Sequence, residues 1–344
     1  MRVLTRQQHV LAAQSVPLQA GKRILTPEDL EALASLVALN PALGAFVDAL
    51  EVNFRSAFSL AALRKTFRYL HNLTDLILVV PALRSPTALR GVFLPCLQYF
   101  RTNLPHRTVH PFIDAHPSIT ELDLVGEGSH PHKKCPLSMA TLDDLQTLSG
   151  PSSCVPYIAL PGLSRLCINL GTSTSGGCAA LRAIPAPLCR LYQLTIDIRD
   201  DDDDILHSIA YACPGVRKLK LIEQGSPTTG RSLRRRAWND TVSWASALKK
   251  LPELEELLLR TPAPLVRRQA DLTLERRVVL SWVEGRRRSS RRADDQPHPM
   301  IYHIGIWYGA GRFGGGCVTH WSKPSGVWER QVSTIDPGPD YMFM

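Results

Sequence analysis

Apolar residues recur along nearly the whole chain in a six-residue pattern, apolar-x-x-apolar-x-apolar. The chain contains six clear copies and four weaker ones. Seven of the nine distances between the first positions of successive copies fall between 21 and 28 residues. The clear copies begin at Leu73, Ile119, Leu163, Leu191, Val216 and Leu254. The weaker copies begin at Val47, Leu97, Leu142 and Ile301.

The end of each copy predicts a β-strand, because alternate side chains of a strand share a face. Leu122 and Leu124 are expected to point into the core, and Glu121 and Asp123 to point outward. By the same rule we expect five leucines to be nearly inaccessible: Leu122, Leu166, Leu194, Leu219 and Leu257. The predicted strands are 50–53, 75–79, 121–125, 165–169, 193–197, 218–222 and 256–260.

The spacing of the copies is typical of leucine-rich repeats, whose period is roughly 20–29 residues. The sequence therefore predicts an α/β leucine-rich-repeat solenoid, a curved horseshoe with parallel strands on the concave face and short helices and loops on the convex face. Proline reinforces the register, because its fixed φ suits a turn that enters a strand. It stands two residues before the first position in six copies, as Pro95, Pro117, Pro161, Pro214, Pro252 and Pro299.

Helices are expected between the strands. Thr26 and Pro27 have the residue types of a helix cap and first turn, and an apolar run follows to Leu39. The acidic run 200–204 precedes another apolar segment, where a helix N-terminus favours negative charge. We interpret that run as a solvated cap, because a calcium loop needs regular spacing and a carboxylate downstream.

Composition indicates a folded chain, with 44% hydrophobic and 21% charged residues. The most apolar run, 73–83, is interrupted by Asp75 and Pro81, and residues 1–6 are not followed by an apolar core of signal-peptide length. We therefore expect a cytoplasmic or nuclear protein with no membrane partner. The eight cysteines form no CxxC pair and are interpreted as reduced and mostly buried.

The net charge of +9 is concentrated in two arginine runs, 231–236 and 286–292. They lie where the repeat spacing lengthens, so we interpret 224–236 and 285–299 as surface insertions. Ser289 and Ser290 among the arginines are compatible with a kinase target or a nuclear-import patch, and also with a merely solvated loop. Nucleic-acid binding is disfavoured because few aromatic residues accompany these arginines.

Two short motifs resemble sites but lack what the chemistry requires. The GxGxxG match at 309–314 follows an apolar segment, but further glycines and Pro324 prevent the helix that a dinucleotide site needs. The segment 130–135, HPHKKC, lacks a fourth zinc ligand and contains two lysines. Neither a GxSxG elbow nor a GK[ST] phosphate loop is present. We therefore expect no enzyme activity, no cofactor and no metal.

Several segments make the chain similar to the leucine-rich-repeat portion of fungal, basidiomycete-type F-box proteins. They are LPCLQYFRTN, HPSITELDL, LPGLSRLCINL, ACPGVRKLKL, LPELEELLLRTP and the closing HWSKPSGVWERQV. The resemblance implies a substrate-recognition role in a ubiquitin-ligase adaptor, which docks to a Skp1-type protein through an F-box. Residues 1–40 show no recognisable F-box, so a Skp1-type partner is expected only if an F-box is present elsewhere.

The predicted organisation is an N-terminal helical cap at 1–40, a repeat array at 41–330 and a C-terminal tail at 331–344. The predicted function is that of a protein–protein interaction scaffold, with nucleic-acid binding or an unrecognised enzyme as alternatives. The contact surface would be the outward strand positions, where aromatic and arginine residues supply typical hot spots. These positions are Tyr99, Arg101, Asn103, Glu121, Asp123, Arg165, Asn169, Asp197, Lys218, Lys220, Glu256, Arg260 and Trp307.

Overall fold

A computed structural model divides the chain into two compact units, Met1–Leu145 and Gln146–Met344. It describes residues 22–24, 26–54, 56–81, 89–125, 135–171, 176–224, 236–262, 265, 272–284, 296–308 and 316–335. Within these residues no helix is long and apolar enough to cross a membrane.

The first unit is a series of parallel strands joined by helices. Its strands are β1 (Lys22–Ile24), β2 (Ala49–Asn53), β3 (Asp75–Val79), β4 (Tyr99–Thr102) and β5 (Glu121–Leu124). Each pairs in parallel with the next. The helices are α1 (Pro27–Leu39), α2 (Leu60–Phe67) and α3 (His106–Asp114), and 3-10 turns span Pro41–Phe46 and Pro136–Met139. Helix α1 packs against α2.

The second unit also alternates parallel strands with helices, and its last two strands are antiparallel. Its parallel strands are β6 (Thr147–Pro151), β7 (Arg165–Asn169), β8 (Gln193–Ile198), β9 (Lys218–Glu223), β10 (Glu256–Thr261) and β11 (His303–Tyr308). Strands β12 (Gly316–Ser322) and β13 (Glu329–Ile335) then add in antiparallel order. The helices are α4 (Val155–Ile158), α5 (Gly177–Arg182), α6 (Ile205–Ala212), α7 (Thr241–Leu248) and α8 (Leu272–Val283), with a 3-10 turn at Ala237–Asn239.

In most repeats the same kind of turn leads into the strand. The amide of the first apolar position donates to the carbonyl of the residue three positions earlier, as from Leu97 to Leu94 at 3.1 Å and from Leu191 to Leu188 at 3.1 Å. The residue after the first position then offers its carbonyl to two amides of the next repeat. Gln98, for example, accepts from Thr120 and Glu121. These hydrogen bonds hold the start of each strand against the preceding repeat. The length of the helix and loops between two strands can therefore vary while the strands stay in register.

The core lies between the strands and the helices. Leu122, Leu166, Leu194, Leu219 and Leu257 are at most 2% exposed, as the alternation rule predicted. Removing such side chains from water is the main stabilising contribution to this fold. The predicted leucine-rich-repeat architecture and all seven predicted strands are confirmed within a residue or two at their ends.

Four features differ from the sequence prediction. The weak copy beginning at Leu142 was placed three residues too early, because Leu148 pairs with Leu166 and Leu145 is the true first position. The segment ahead of α1 includes strand β1, so the N-terminal cap is not purely helical. The antiparallel strands β12 and β13 were not predicted, and β13 continues to Ile335, beyond the boundary set at residue 330.

The helix caps follow simple chemistry. The hydroxyl of Thr26 accepts the amide of Asp29 at 3.2 Å, which confirms the predicted start of α1. The acidic run precedes α6 and is mostly exposed, as predicted, but one of its residues differs. Asp202 is only 8% exposed and accepts amides from Gly177 at 3.1 Å, Cys178 at 3.4 Å and Arg199 at 2.9 Å. It therefore caps α5 of the preceding repeat, whereas Asp201 and Asp203 are exposed.

Candidate functional site

The strand face of the first unit carries a cross-strand group of polar side chains. Tyr99 and Arg101 on β4 lie opposite Glu121 and Asp123 on β5. Arg101 Nε is 3.3 Å from Asp123 Oδ2. Burial and the charge of Asp123 raise the pKa of the Tyr99 hydroxyl. These four predicted contact residues are therefore brought together, and all four are half-buried.

Asn103 lies at the end of the same face but is occupied in holding the fold. Its amide oxygen accepts the Val80 amide at 3.0 Å, and its nitrogen donates to the Val80 carbonyl at 2.7 Å. Asp197 has a comparable role in the second unit, where it accepts the Leu170 amide at 3.0 Å. Both side chains thus join adjacent repeats.

The strand face of the second unit contains a pocket with a volume of about 350 Å³. Leu258, Trp307 and Val318 give it apolar walls. Its polar groups come from neighbouring strands, and they are Gln193, Lys218, Lys220, Glu256, His303 and His320. Three of the predicted contact residues besides Trp307 line this pocket, namely Lys218, Lys220 and Glu256. Arg165 is exposed on β7 and pairs in register with Gln193, whereas Asn169 lies farther along β7 and is half-buried.

Glu256 is the centre of the polar groups in this pocket. Its carboxylate lies 2.8 Å from Lys218 Nζ and accepts the Tyr302 hydroxyl at 3.0 Å. His303 Nδ1 is 3.8 Å from the other carboxylate oxygen. Burial opposes ionisation of Glu256, but the hydrogen bonds from Lys218 and Tyr302 outweigh it and lower the pKa of the carboxyl. Glu256 is therefore ionised, and Lys218 neutralises it.

Two histidines lie side by side next to Glu256. His303 Nε2 and His320 Nδ1 are 3.1 Å apart, and the rings are nearly parallel at 13°. His320 Nε2 is 3.2 Å from the hydroxyl of Ser333. Burial lowers the pKa of both imidazoles, and His303 lowers that of His320 further. The neutral pair therefore shares one hydrogen bond, and the outer ring nitrogens face Glu256 and Ser333.

The position of His320 depends on how the C-terminal strands are attached. Glu275 of α8 is 1% exposed and accepts hydrogen bonds from Trp321 Nε1 at 3.0 Å and from the Tyr308 hydroxyl at 3.1 Å. Arg330 Nε lies 3.5 Å from the same carboxylate. Burial, and then the charge of Glu275, raise the pKa of the Tyr308 hydroxyl. This buried group links β11, β12 and β13 to α8.

Three predicted contact residues are buried, which corrects the expectation that they face solvent. Asp197 is 3%, Arg260 0% and Trp307 1% exposed. The Arg260 guanidinium lies 4.2 Å from the centre of the Trp307 ring, and Lys220 Nζ lies 5.9 Å from it. The alternation rule assigned these residues to the correct face. It did not predict their low exposure, because large side chains on neighbouring strands cover one another.

Sequence reasoning left His320, Val318 and Gln193 out of the candidate site. The first two lie on β12, which was not predicted. Residues 318–321, Val-Thr-His-Trp, do not alternate between apolar and polar, and only their content of strand-favouring residues, Val318, Thr319 and Trp321, indicates that strand. Gln193 is in register with Lys218, and its position follows from the strand pairing alone.

Several sequence motifs lie outside the described residues. They are the glycine-rich segment 309–314, residues 130–134 of HPHKKC, both serines at 289 and 290, and most of the insertions 224–236 and 285–299. In the run 231–236 only Arg236 is described. Its guanidinium is 2.7 Å from Glu223, so this arginine is already occupied by a buried carboxylate.

The similarity of the chain to known proteins is limited. No family model matches the sequence, and no curated protein matches it. Eight chains of solved structures are similar. One is the leucine-rich repeat-containing protein LegL7 from Legionella pneumophila, with 15% identity and a TM-score of 0.41 over 70% of this chain and 82% of that chain. The fold is therefore assigned from the repeat geometry itself.

Proposed function

We propose that the chain is a protein–protein interaction scaffold whose main contact surface is the strand face of the second unit. The observation that supports this most is the pocket on that face, where apolar and polar side chains from β8 to β12 converge. Shallow apolar depressions rimmed by polar groups are typical of interface centres. We assign no catalytic role to the site.

The residue types around the pocket favour a protein partner over a small metabolite. Tyr192 and Tyr302 are 40% and 47% exposed at its edge, and Lys218 Nζ lies 5.9 Å from the Tyr192 ring. Tyrosine, tryptophan and arginine supply most interface hot spots. Rigid strands also present these groups with little loss of side-chain entropy on binding.

The proposal is tested by quantitative affinity enrichment from the native source with three forms of the chain. The forms are the unmodified protein, Lys220→Glu in the pocket, and Lys250→Glu, which makes the same charge change at an exposed site after α7. We expect at least one protein to be retained by the unmodified chain and by Lys250→Glu, and lost with Lys220→Glu. Equal retention of every co-purifying protein by all three forms would contradict the proposal.

A narrower role, substrate recognition in an F-box-type ubiquitin-ligase adaptor, is supported by the sequence resemblance alone. Such a role needs a docking module for a Skp1-type adaptor. Strand β1 instead pairs with β2, and α1 packs against α2. We therefore predict that the purified chain does not bind a Skp1-type adaptor in a calorimetric titration. Measurable binding would show that this chain contains an unrecognised F-box.

A further inference from the structure

The strand face of the first unit carries more carboxylates than cations, although the whole chain has a net charge of +9. The charged residues at the outward positions of β1 to β5 are Arg23, Arg101, Glu51, Asp75, Glu121 and Asp123. Two positive charges thus oppose four negative ones, and the difference is two negative charges. Salt screens charges over about 8 Å at physiological ionic strength. A ligand on this face therefore responds to these side chains and not to the net charge of the chain.

Two of the four carboxylates are left over when the ion pairs on this face have formed. The ion pairs, with distances of 3.2 and 3.3 Å, are Arg23–Glu51 and Arg101–Asp123. Among the residues that the structure describes, neither Asp75 nor Glu121 has a cation within 4.0 Å. Asp75 accepts the hydroxyl of Thr74 at 2.6 Å, which uses one of about four acceptor positions of a carboxylate. Both groups can therefore accept hydrogen bonds from a ligand.

These two carboxylates flank an aromatic ring. Tyr99 on β4 is in register with Asp75 on β3 and with Glu121 on β5. Adjacent strands are about 4.8 Å apart, so the three side chains form a row roughly 10 Å long. Burial raises the pKa of the Tyr99 hydroxyl, and the charges of Asp123 and Glu121 raise it further, against the effect of Arg101. A cation on the face of this ring is attracted by the ring and by the carboxylates on either side.

An apolar surface adjoins the row. Ile77 and Val79 follow Asp75 on the same face of β3, and both are half-buried. Ile77 is in register with Arg101, so it lies diagonally next to Tyr99. Arginine fits such a site better than lysine, because its planar guanidinium stacks on aromatic rings and binds carboxylates through two hydrogen bonds. An apolar side chain next to that arginine would pack on Ile77.

We propose that the strand face of the first unit binds an arginine-bearing segment of a partner protein. A guanidinium stacks on Tyr99 between Asp75 and Glu121, and a neighbouring apolar side chain packs on Ile77. The excess of carboxylates repels phosphates, so the ligand is a basic peptide segment and not a nucleic acid. This surface is different from the pocket of the second unit, and the inference holds independently of the function proposed for that pocket.

The test titrates three capped, labelled pentapeptides against the full chain by fluorescence anisotropy at about 0.15 M salt. Each has leucine at its centre, and its other four residues are arginine, the neutral analogue citrulline, or glutamate. We expect the arginine peptide to bind at least about tenfold more tightly than the other two, a difference of one charge-assisted contact. No binding of the arginine peptide would overturn the inference. Binding of the citrulline or glutamate peptide as tight as that of the arginine peptide would also overturn it.

Variants of the chain locate the binding and separate it from folding effects. Glu121→Gln should weaken the arginine peptide about tenfold, and Tyr99→Leu should weaken it about fivefold through loss of the ring. Glu121→Asp keeps the charge and should lose less affinity than Glu121→Gln. Glu31→Gln makes the same charge change at an exposed site of α1 and should leave the affinity unchanged. Equal affinities of Glu121→Gln and Glu31→Gln for the arginine peptide would overturn the assignment of the site. The Lys220→Glu enrichment tests the scaffold function separately, so either proposal can fail while the other stands.

Discussion

Histidine occupies the same repeat position twice, three residues before the first apolar residue, as His116 and His298. His116 is 1% exposed, and its Nε2 accepts the amide of Leu94 in the preceding repeat at 2.8 Å. Nδ1 must then carry the proton, which it donates to the Phe112 carbonyl. The ring therefore fills a position that is usually leucine and replaces the apolar contact with one hydrogen bond to the preceding repeat and one within its own repeat.

This arrangement predicts that His116 weakens the fold in acid. Burial lowers its pKa, so between the folded pKa and the unfolded value of about 6.5 the unfolded chain binds more protons. The free energy of unfolding should consequently fall as the pH drops below about 6.5. We expect His116→Gln to lose about 1 kcal/mol less between pH 7.5 and pH 5.5 than the unmodified chain. Urea titrations at both pH values measure this, and equal losses would contradict it.

Single leucines of the strand core should be costly to truncate. Leu122 is 1% exposed and Leu39 is 85% exposed, and both belong to the first unit. We predict that Leu122→Ala lowers the free energy of unfolding by about 2–5 kcal/mol, because it leaves a cavity. Leu39→Ala is the matched control and should change it by less than about 0.5 kcal/mol. Similar effects of the two variants in urea unfolding would mean that the strand register is wrong.

At the scale of elements, the repeats are joined by side chains as well as by strand pairing. Asp202 caps the six-residue helix α5 from the following repeat. Gly176 makes room for this carboxylate, since a Cβ there would be 2.4 Å from Asp202 Oδ1. Short helices have little stability of their own, so α5 depends on this cap.

We predict that Asp202→Ala lowers the free energy of unfolding by about 2 kcal/mol, the upper range for loss of a cap. The removed carboxylate would leave three amides without their acceptor. Asp201→Ala is the control in the same acidic run, since Asp201 is exposed, and it should have little effect. Circular dichroism during urea unfolding provides the measurement. A large effect of Asp201→Ala, with none from Asp202→Ala, would refute the capping role.

The strands could be predicted from sequence because alternation of apolar residues reports burial directly. Leu122, Leu166 and Leu257 were located from that pattern alone. The capping role of Asp202 could not be predicted, because the two amides of α5 that it accepts are 24 and 25 residues away in sequence. The burial of Arg260 and Trp307 was missed for a related reason, since it depends on side chains from neighbouring strands and on a terminal hairpin that has no repeat pattern.

At the scale of the whole molecule, we expect a partner to bind the strand face of the second unit and not its helices. Positive and negative groups on that face are largely paired with each other, as Lys218 is with Glu256. Such pairing fixes side-chain positions before binding, which reduces the entropy lost on association. A partner should therefore recognise a surface that is already formed.

Site-specific photo-cross-linking in the native source tests this claim most directly. A benzophenone amino acid replaces Gln193, which lines the pocket, or Ser246, which is exposed on helix α7. We expect a discrete covalent adduct with a protein from position 193 and none from position 246. An adduct formed from position 246 and absent from position 193 would contradict the assignment of the strand face as the binding surface.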